Sequence, residues 1–587
     1  MKDRSKNVLH MITMVAPWII FPCASFYLME TFHHNPFKNI NGNAQFLNII
    51  IFEAVALLLW MLVGSRKWAF RIESAIALII GLADYYVIEF RGTPILPWDI
   101  YSIKTAAGVS GDYSYVLGKE AVFSLLAFAV LIFIESLGPD VKMERGKWKK
   151  RLACGALAVG VLAGEYQLMK SPAFIANMAI YDKLFTPYVM IKRDGIALAF
   201  MMELQYMEVD KPKNYDAEEA EEAYEALSDD VVVAQEKQPN IIVVMNEAFS
   251  DPAVLGEFET NEDYMPVLHG LQEGAENTVT GLMNVSVVAG NTANTEFEFL
   301  TGSSMAFLPD GSVPYQQYID DSTDSMASHL KEMGYKTIAM HPYNAGGWER
   351  DITYPYLGFD TFYSLKNFRN VTKVREYVDD DSCVDRIIQE FKKSKEPCFI
   401  FNVTMQNHSP YTAEYDNFSP DIKVKGCESN QLNNYLSLMK LSDASLGRLI
   451  EYFSQVEEDT VIVFFGDHQP ADSVVREVWR LNGVDPYELT EEQQCLRYQV
   501  PFAVWANYDI EEQTDVMTSS CFLGAQVFDW CSIPKSGYQN YLLELSEQFT
   551  AITARTAMDK NGNFVEIDKI KGALLEYNML QYYRIFG

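Results

Sequence analysis

Cysteine is sparse in this chain, and none of it falls in a redox or zinc-binding spacing. Its 587 residues include eight cysteines, Cys23, Cys154, Cys383, Cys398, Cys427, Cys495, Cys521 and Cys531, and no two form a CxxC pair. A paired-cysteine zinc knot or a thioredoxin-like dithiol therefore has no support, although one or two disulfides stay open for an extracellular domain. Positive charge is also short: 47 Lys and Arg stand against 79 Asp and Glu, a net charge of −32. Phosphate backbones are bound by basic surfaces, so this balance argues against nucleic acid as a partner. A solvated acidic surface explains it with no partner at all, and a divalent cation would suit it. No small-residue cleavage site follows the first apolar run, so that run does not read as a signal peptide.

What is present divides into two unlike halves, too long together for one ordinary domain. Apolar runs recur over 8–29, 47–64, 75–88, 121–134 and 152–168. With its flanks, each approaches the roughly 20 residues a helix needs to cross a bilayer. The third is the weakest, because Arg71, Glu73 and Asp84 lie in or beside it. Carboxylates at membrane depth, such as Glu53 and Asp84, are either functional or else interfacial or hydrogen-bonded between helices. Lys2, Arg4 and Lys6 precede the first run; Arg66, Lys67 and Arg71 separate the second and third. Lys142, Arg145, Lys147, Lys149, Lys150 and Arg151 separate the fourth and fifth. These are alternate loops, so the positive-inside tendency makes all of them cytoplasmic. The loops holding His33–His34 and Arg91-Gly92-Thr93-Pro94-Ile95-Leu96-Pro97 then face outward, as does everything after about Ser171. Between 174 and 207, apolar stretches are broken by Asp182, Lys183, Lys192, Arg193 and Asp194, which predicts helices lying on the outer membrane face. The acidic stretch 210–238 reads as an exposed, partly helical linker, with Val232-Val233-Ala234 as a weak cleavage-like sequence. The expected domains are a five-helix transmembrane domain over 1–170, interfacial helices and linker over 171–238, and an extracellular catalytic domain over 239–587.

From 239 onward, short apolar runs at 241–245, 337–340, 399–403 and 461–465 alternate with helical periodicity at 383–392 and 435–453. That alternation predicts a parallel sheet covered on both faces. Each run ends in a chemically loaded cluster: Asn246-Glu247, then His341-Pro342-Tyr343 with Trp348-Glu349-Arg350, then Asn407-His408, then Gly466-Asp467-His468. Open α/β sheets bind ligands beyond the carboxyl ends of their strands, so these segments should converge on one edge. One histidine at a strand end is usually structural, but the chain has only eight, and three of them recur in this position. Glu247, Asp467 and His468 form an oxygen, oxygen and nitrogen donor set without sulfur, suited to manganese, magnesium or zinc. The polar turn Ala289-Gly290-Asn291-Thr292-Ala293-Asn294 adds a hydroxyl that is either a turn cap or a nucleophile. A divalent ion beside it lowers the hydroxyl pKa, and Arg350 with the histidines can neutralise a phosphate or sulfate ester.

These residues resemble the lipoteichoic acid synthase family, membrane members of the alkaline phosphatase/sulfatase superfamily. The resemblance covers nearly the entire chain, including Phe90-Arg91-Gly92-Thr93-Pro94 and the ending Tyr582-Tyr583-Arg584-Ile585-Phe586-Gly587. It implies a helical membrane domain followed by a sulfatase-like α/β domain with a central mixed, mostly parallel sheet. It implies that Glu247, Thr292, Asp467 and His468 hold one divalent metal, manganese before magnesium or zinc, with Thr292 as nucleophile. His341, Trp348, Arg350 and His408 match the family's head-group contacts. The implied reaction moves glycerol phosphate from phosphatidylglycerol to a glycolipid-anchored polymer through a covalent threonine intermediate, with His408 assisting proton transfer. Tyr343 departs from the acidic or Asn residue that family enzymes often carry two positions after the first substrate histidine, which bears on the head group. A phosphoethanolamine transferase would share the nucleophile and membrane half. A non-catalytic surface protein would not need the full set. A sulfatase would need a CxPxR-like sequence, which Cys531-Ser532-Ile533-Pro534-Lys535 only partly matches.

Overall fold

The computed structural model describes residues 2–91, 94–100, 116–143, 148–181, 187–204, 207, 209–228, 238–309, 311–565 and 571–587. Gly92, Thr93, Arg145, Lys147, Asp182, Lys183 and Val232-Val233-Ala234 lie outside these residues, and only the backbone of Lys2, Arg4 and Lys6 is described. The described residues divide into two compact units, those up to 207 and those from 209 onward.

The first unit is built on five long helices: α1 (Lys2–Glu30), α2 (Gly42–Val63), α3 (Arg66–Arg91), α4 (Lys119–Leu137) and α5 (Trp148–Met169). The Asn41 side chain caps α2 by accepting from the Ala44 amide at 2.9 Å, and Gly64, at φ 72°, ends it. Among the described residues, α2, α4 and α5 are long and apolar enough to cross a membrane. They leave Leu62, Phe123, Leu126, Phe133, Leu152 and Leu157 exposed, as a lipid-facing surface would. The described apolar part of α1, Met14–Glu30, is shorter. α3 carries Arg66, Lys67, Arg71, Glu73 and Asp84 and does not qualify by composition, so length and hydropathy establish three candidate spans where five were expected. Asp84 is buried; its Oδ1 accepts from the Ile95 amide at 2.6 Å and its Oδ2 lies 3.2 Å from His33 Nε2. Short helices Pro172–Met178, Pro187–Asp194 and Ile196–Glu203 fill most of the mixed stretch that follows.

The second unit carries an eight-stranded sheet: β1 (Asn240–Asn246), β2 (Thr278–Asn284), β3 (Lys336–His341), β4 (Thr361–Ser364), β5 (Cys398–Val403), β6 (Thr460–Gly466), β7 (Gln499–Ala506) and β8 (Gln513–Ser519). Their spatial order is β8-β2-β7-β6-β1-β5-β3-β4. Both pairings of β7 are antiparallel and every other pairing in the sheet is parallel, so the sheet is mixed and mostly parallel. Alternation along β1 sends Ile241, Val243 and Met245 into one core layer and Ile242 and Val244 into the other. Buried on both faces, the central strands read as continuous apolar runs. The first layer is closed by α6 (Thr292–Thr301) and helix Ser520–Trp530, through Phe297, Phe299, Leu523 and Val527. The second is closed by α8 (Asp380–Lys393) and α9 (Asn430–Phe453), through Val384, Ile387, Leu436 and Leu449. Between them in sequence lies α7 (Arg350–Tyr356), and the described residues finish in α10 (Ala573–Phe586). Within the acidic stretch 210–238, helix Ala217–Ser228 docks on this unit: Tyr224 meets the rings of Tyr538 and Tyr583 at 6.0 and 5.8 Å. All eight cysteines are free thiols.

Candidate metal centre

The strands β6, β1, β5 and β3 are consecutive neighbours in the sheet, and the four clusters noted in the sequence follow their carboxyl ends. β1 hands the chain to Glu247, whose amide donates to Thr404 Oγ1 at 3.1 Å. Ala248 turns with φ 49°, and its amide donates to Asp467 Oδ1 at 2.7 Å. That close approach depends on Gly466, where an added Cβ would stand 1.7 Å from the Phe249 carbonyl oxygen. Asp467 Oδ1 also accepts from the His468 amide at 2.8 Å. His468 Nδ1 donates to the Gln469 carbonyl at 2.9 Å, which fixes the tautomer and leaves Nε2 with its lone pair.

Thr292 arrives from another direction. Ala289, Gly290 and Asn291 all have positive φ (61°, 149° and 60°), and this turn makes Thr292 the first residue of α6. Thr292 is 7% exposed, and its Oγ1 lies 3.5 Å from Glu247 Oε2. Thr295 Oγ1 donates to the Asp467 carbonyl at 2.7 Å, pinning α6 to the end of β6.

The structure therefore brings Glu247, Thr292, Asp467 and His468 together. The ligand atoms of Glu247, Asp467 and His468 all lie within 4.8 Å of one another, and all three residues are buried. His468 Nε2 stands 3.3 Å from Asp467 Oδ2 and 3.9 Å from Glu247 Oε1. Among the described residues, neither His468 Nε2 nor Asp467 Oδ2 has a hydrogen-bond partner, an arrangement that costs free energy in a buried site unless a cation completes it. Burial pushes the Glu247 carboxyl well above its ordinary range, and the neighbouring Asp467 adds to this. Burial raises Asp467 as well. A divalent cation would supply the missing charge, and this oxygen-rich donor set fits one.

Of the four residues expected to contact an ester, Arg350 acts electrostatically on Glu247, and the others lie at or beyond the carboxyl ends of β3 and β5. His341, at the end of β3, donates from Nδ1 to the Val403 carbonyl at 3.1 Å. Burial, with Arg350 and His408 nearby, holds it well below the ordinary histidine range, so it is neutral. His408 has Nδ1 at 2.9 Å from the Ser409 carbonyl and 3.1 Å from the Tyr377 hydroxyl. Trp348, at φ 57°, is half-buried against the first core layer. The Tyr343 ring lies 6.2 Å from His341 and 6.3 Å from Tyr377, occupying the departure position with an aromatic face. Arg350 is buried, and Glu296 accepts from its Nε at 3.0 and 3.2 Å and from its Nη2. Burial alone would lower the Arg350 pKa, but the carboxylate beside it takes it above its ordinary value.

Several contributors escaped the sequence reading. Glu296 follows Thr292 by one helical turn, a spacing visible in sequence, but its partner is 54 residues away. Arg375 donates to the carbonyls of Gln406, His408 and Pro410 at 2.7–2.8 Å and so shapes the His408 loop. Asn407 donates to Asn246 Oδ1, and Asn246 donates to buried Asp380, each at 2.8 Å, bracing that loop against the end of β1. No local pattern marks either device.

Residues 239–533 match the family model described as Sulfatase. The chain is 30% identical over 407 residues, 68% of its length and 62% of the relative's, to a putative cyclic beta-1,2-glucan modification protein of Rhizobium meliloti. It is 22% identical over 491 residues, 78% of its length and 71% of the relative's, to lipoteichoic acid synthase 1 of Bacillus subtilis. The matches span 62%, 65% and 46% of the lengths of three curated relatives, less than two thirds of each. Among solved structures, the Streptococcus pyogenes phosphoglycerol transferase GacH, in complex with sn-glycerol-1-phosphate, aligns with a TM-score of 0.50 at 22% identity. That alignment covers 64% of this chain and 94% of the other, and the likeness is one of fold.

Proposed function

Because this chain belongs to the sulfatase family, we propose that it is a membrane-bound phosphoglycerol transferase, moving glycerol phosphate from phosphatidylglycerol to a polyglycerolphosphate chain on a glycolipid anchor. The observation that carries the proposal is the Thr292 hydroxyl, 3.5 Å from Glu247 within the buried Glu247, Asp467 and His468 group. In this reading those four residues hold one divalent metal, manganese before magnesium or zinc. Such an ion, when bound, lowers the hydroxyl pKa and offsets charge on the phosphoryl oxygens.

Thr292 Oγ1, its proton first lost to solvent, attacks phosphorus, the bond to the diacylglycerol oxygen breaks, and a glycerophosphoryl-threonine forms. His408 gives the departing diacylglycerol oxygen its proton. The terminal hydroxyl of the acceptor then attacks the same phosphorus, His408 takes that hydroxyl's proton, and Thr292 is released. Neutral His341, Trp348 and Arg350 orient the head group. Five membrane spans over 1–170, an intervening segment over 171–238 and an extracellular domain over 239–587 belong to the same proposal. They put the catalytic domain on the side of the membrane that carries donor lipid and growing product.

A second reading keeps the donor and changes the acceptor. A relative at 30% identity carries the name of a cyclic glucan modification protein, which favours a glycan hydroxyl as the competitor. The test incubates the full chain, in lipid nanodiscs, with fluorescent phosphatidylglycerol and each of manganese, magnesium and zinc. Labelled diacylglycerol should appear with at least one metal and vanish in Thr292→Ala. Release from phosphatidylethanolamine instead would reassign the head group, and unchanged release by Thr292→Ala would remove the mechanism. Parallel arms with a glycerophosphate glycolipid and with a β-glucan separate the two acceptors.

A further inference from the structure

Glu296 has no part in the reaction just described, yet it is completely buried one helical turn after Thr292. Residues four apart on a helix share a face, so α6 presents Thr292 and Glu296 on the same side. Glu296 Oε1 and Oε2 accept from Arg350 Nε at 3.0 and 3.2 Å, Arg350 Nη2 donates to Oε1, and Tyr354 Oη donates to Oε2 at 2.7 Å. Arg350, 2% exposed, thereby has its whole Nε–Nη2 edge engaged. Only Nη1 is left, making a long 3.4 Å contact to the Gly347 carbonyl. This arginine is a fixed guanidinium whose charge is already matched, rather than a free bidentate anion clamp.

The charges around the Thr292 hydroxyl can then be summed. A bound divalent cation would match Glu247 and Asp467, burial keeps His341 neutral, and Glu296 cancels Arg350. In the proposed reaction His408 carries the proton it gives to the leaving group, so one positive charge is left over, enough for a singly charged ligand and one short for a doubly charged one. At short range in a buried site, each further negative charge on the ligand meets an unmatched penalty.

We propose that Glu296 is a specificity-determining residue: by neutralising and orienting Arg350 it sets the site to accept singly charged phosphodiesters over doubly charged phosphomonoesters. The inference rests on the phosphotransferase reading above and names the substrate class that reading serves. Both Glu296 oxygens are taken by Arg350 and Tyr354, so it acts through Arg350 and is a positioning residue.

The full chain in nanodiscs with manganese is assayed for kcat/KM on bis-p-nitrophenyl phosphate, a diester, and on p-nitrophenyl phosphate, a monoester. Glu296→Gln removes the negative charge while keeping the side-chain shape. The diester-to-monoester ratio should fall by about tenfold or more in that variant, and Glu296→Asp should return it towards the wild-type value. A merely structural role would depress both activities together and leave the ratio unchanged, which overturns the assignment. Wild-type protein inert towards both esters with manganese, magnesium and zinc would instead remove the parent reading, and this one with it. Should Glu296→Gln fail to fold, calorimetric titration of the wild-type holoenzyme decides. Dimethyl phosphate should bind more tightly than methyl phosphate, and the reverse order overturns the proposal.

Discussion

At Thr292, burial and placement do different work. The hydroxyl meets the carboxylates of Glu247 and Asp467, whereas α6 is held by Thr295 and by apolar packing. Thr292→Ala should therefore leave the thermal unfolding midpoint within a few degrees while transfer falls by about a thousandfold or more. A comparable loss of stability would mean the residue is a structural cap. His269, on the surface of the same unit, offers a prediction in pH. Its ring stands 3.7 Å from Asp251 Oδ2 and 2.8 Å from Asp263 Oδ1, and these two carboxylates lift its pKa to about 9. A raised folded-state pKa adds stability that is complete below the ordinary histidine range and disappears as pH climbs through about 9. The ring is partly solvated, so His269→Gln should cost about 1 kcal/mol at pH 6. It should cost nothing at pH 10, as read from unfolding midpoints at the two pH values.

Elements fix where those residues can go. α6 is buried over its full length, and its far end is held by α10. Arg584 donates to the Thr301 carbonyl at 2.9 Å, while the Tyr538 and Tyr577 hydroxyls both donate to the Gly302 carbonyl. Removing that guanidinium leaves a buried carbonyl short of a charged donor, so Arg584→Ala should destabilise the second unit by about 2 kcal/mol. Hydrogen exchange should show it first in α6 and α10; protection unchanged in α6 would contradict the coupling. At the other end of the site, Gly466→Ala would drive a methyl group into the Phe249 carbonyl. It should cost about 3 kcal/mol or prevent folding, and a normal unfolding midpoint would show that the β1 and β6 turns can separate. The four central strands were legible because both their faces are buried, which writes them as unbroken apolar runs with polar ends: 461–465 became Thr460–Gly466, and 399–403 became Cys398–Val403. β2, with Gly281 inside it, and half-exposed β8 left no comparable run. The Glu296–Arg350 pair left none either, because a salt bridge spanning 54 residues is a fact of topology and not of local pattern.

For the whole molecule, composition separated a membrane half from an acidic α/β half, and the structure keeps them as two units. The number of spans was less legible, since α3 turns Glu73 and Asp84 inward and so carries charges that hydropathy counts against it. A metal that binds only the folded site must stabilise it by mass action, by about 2.7 kcal/mol at a hundredfold excess over Kd. Manganese should therefore raise the unfolding midpoint of the full chain and a chelator should reverse the rise; Asp467→Asn should abolish both effects. A midpoint indifferent to metal in the wild type would mean that no cation completes the Asp467 and His468 pair. The most direct test of the account is the covalent intermediate itself. Full-length protein with manganese is mixed with phosphatidylglycerol, quenched in acid without acceptor and digested for mass spectrometry. The account predicts a glycerophosphate adduct on the peptide containing Thr292, absent from Thr292→Ala. Turnover without any adduct, or an adduct on a different side chain, would contradict it.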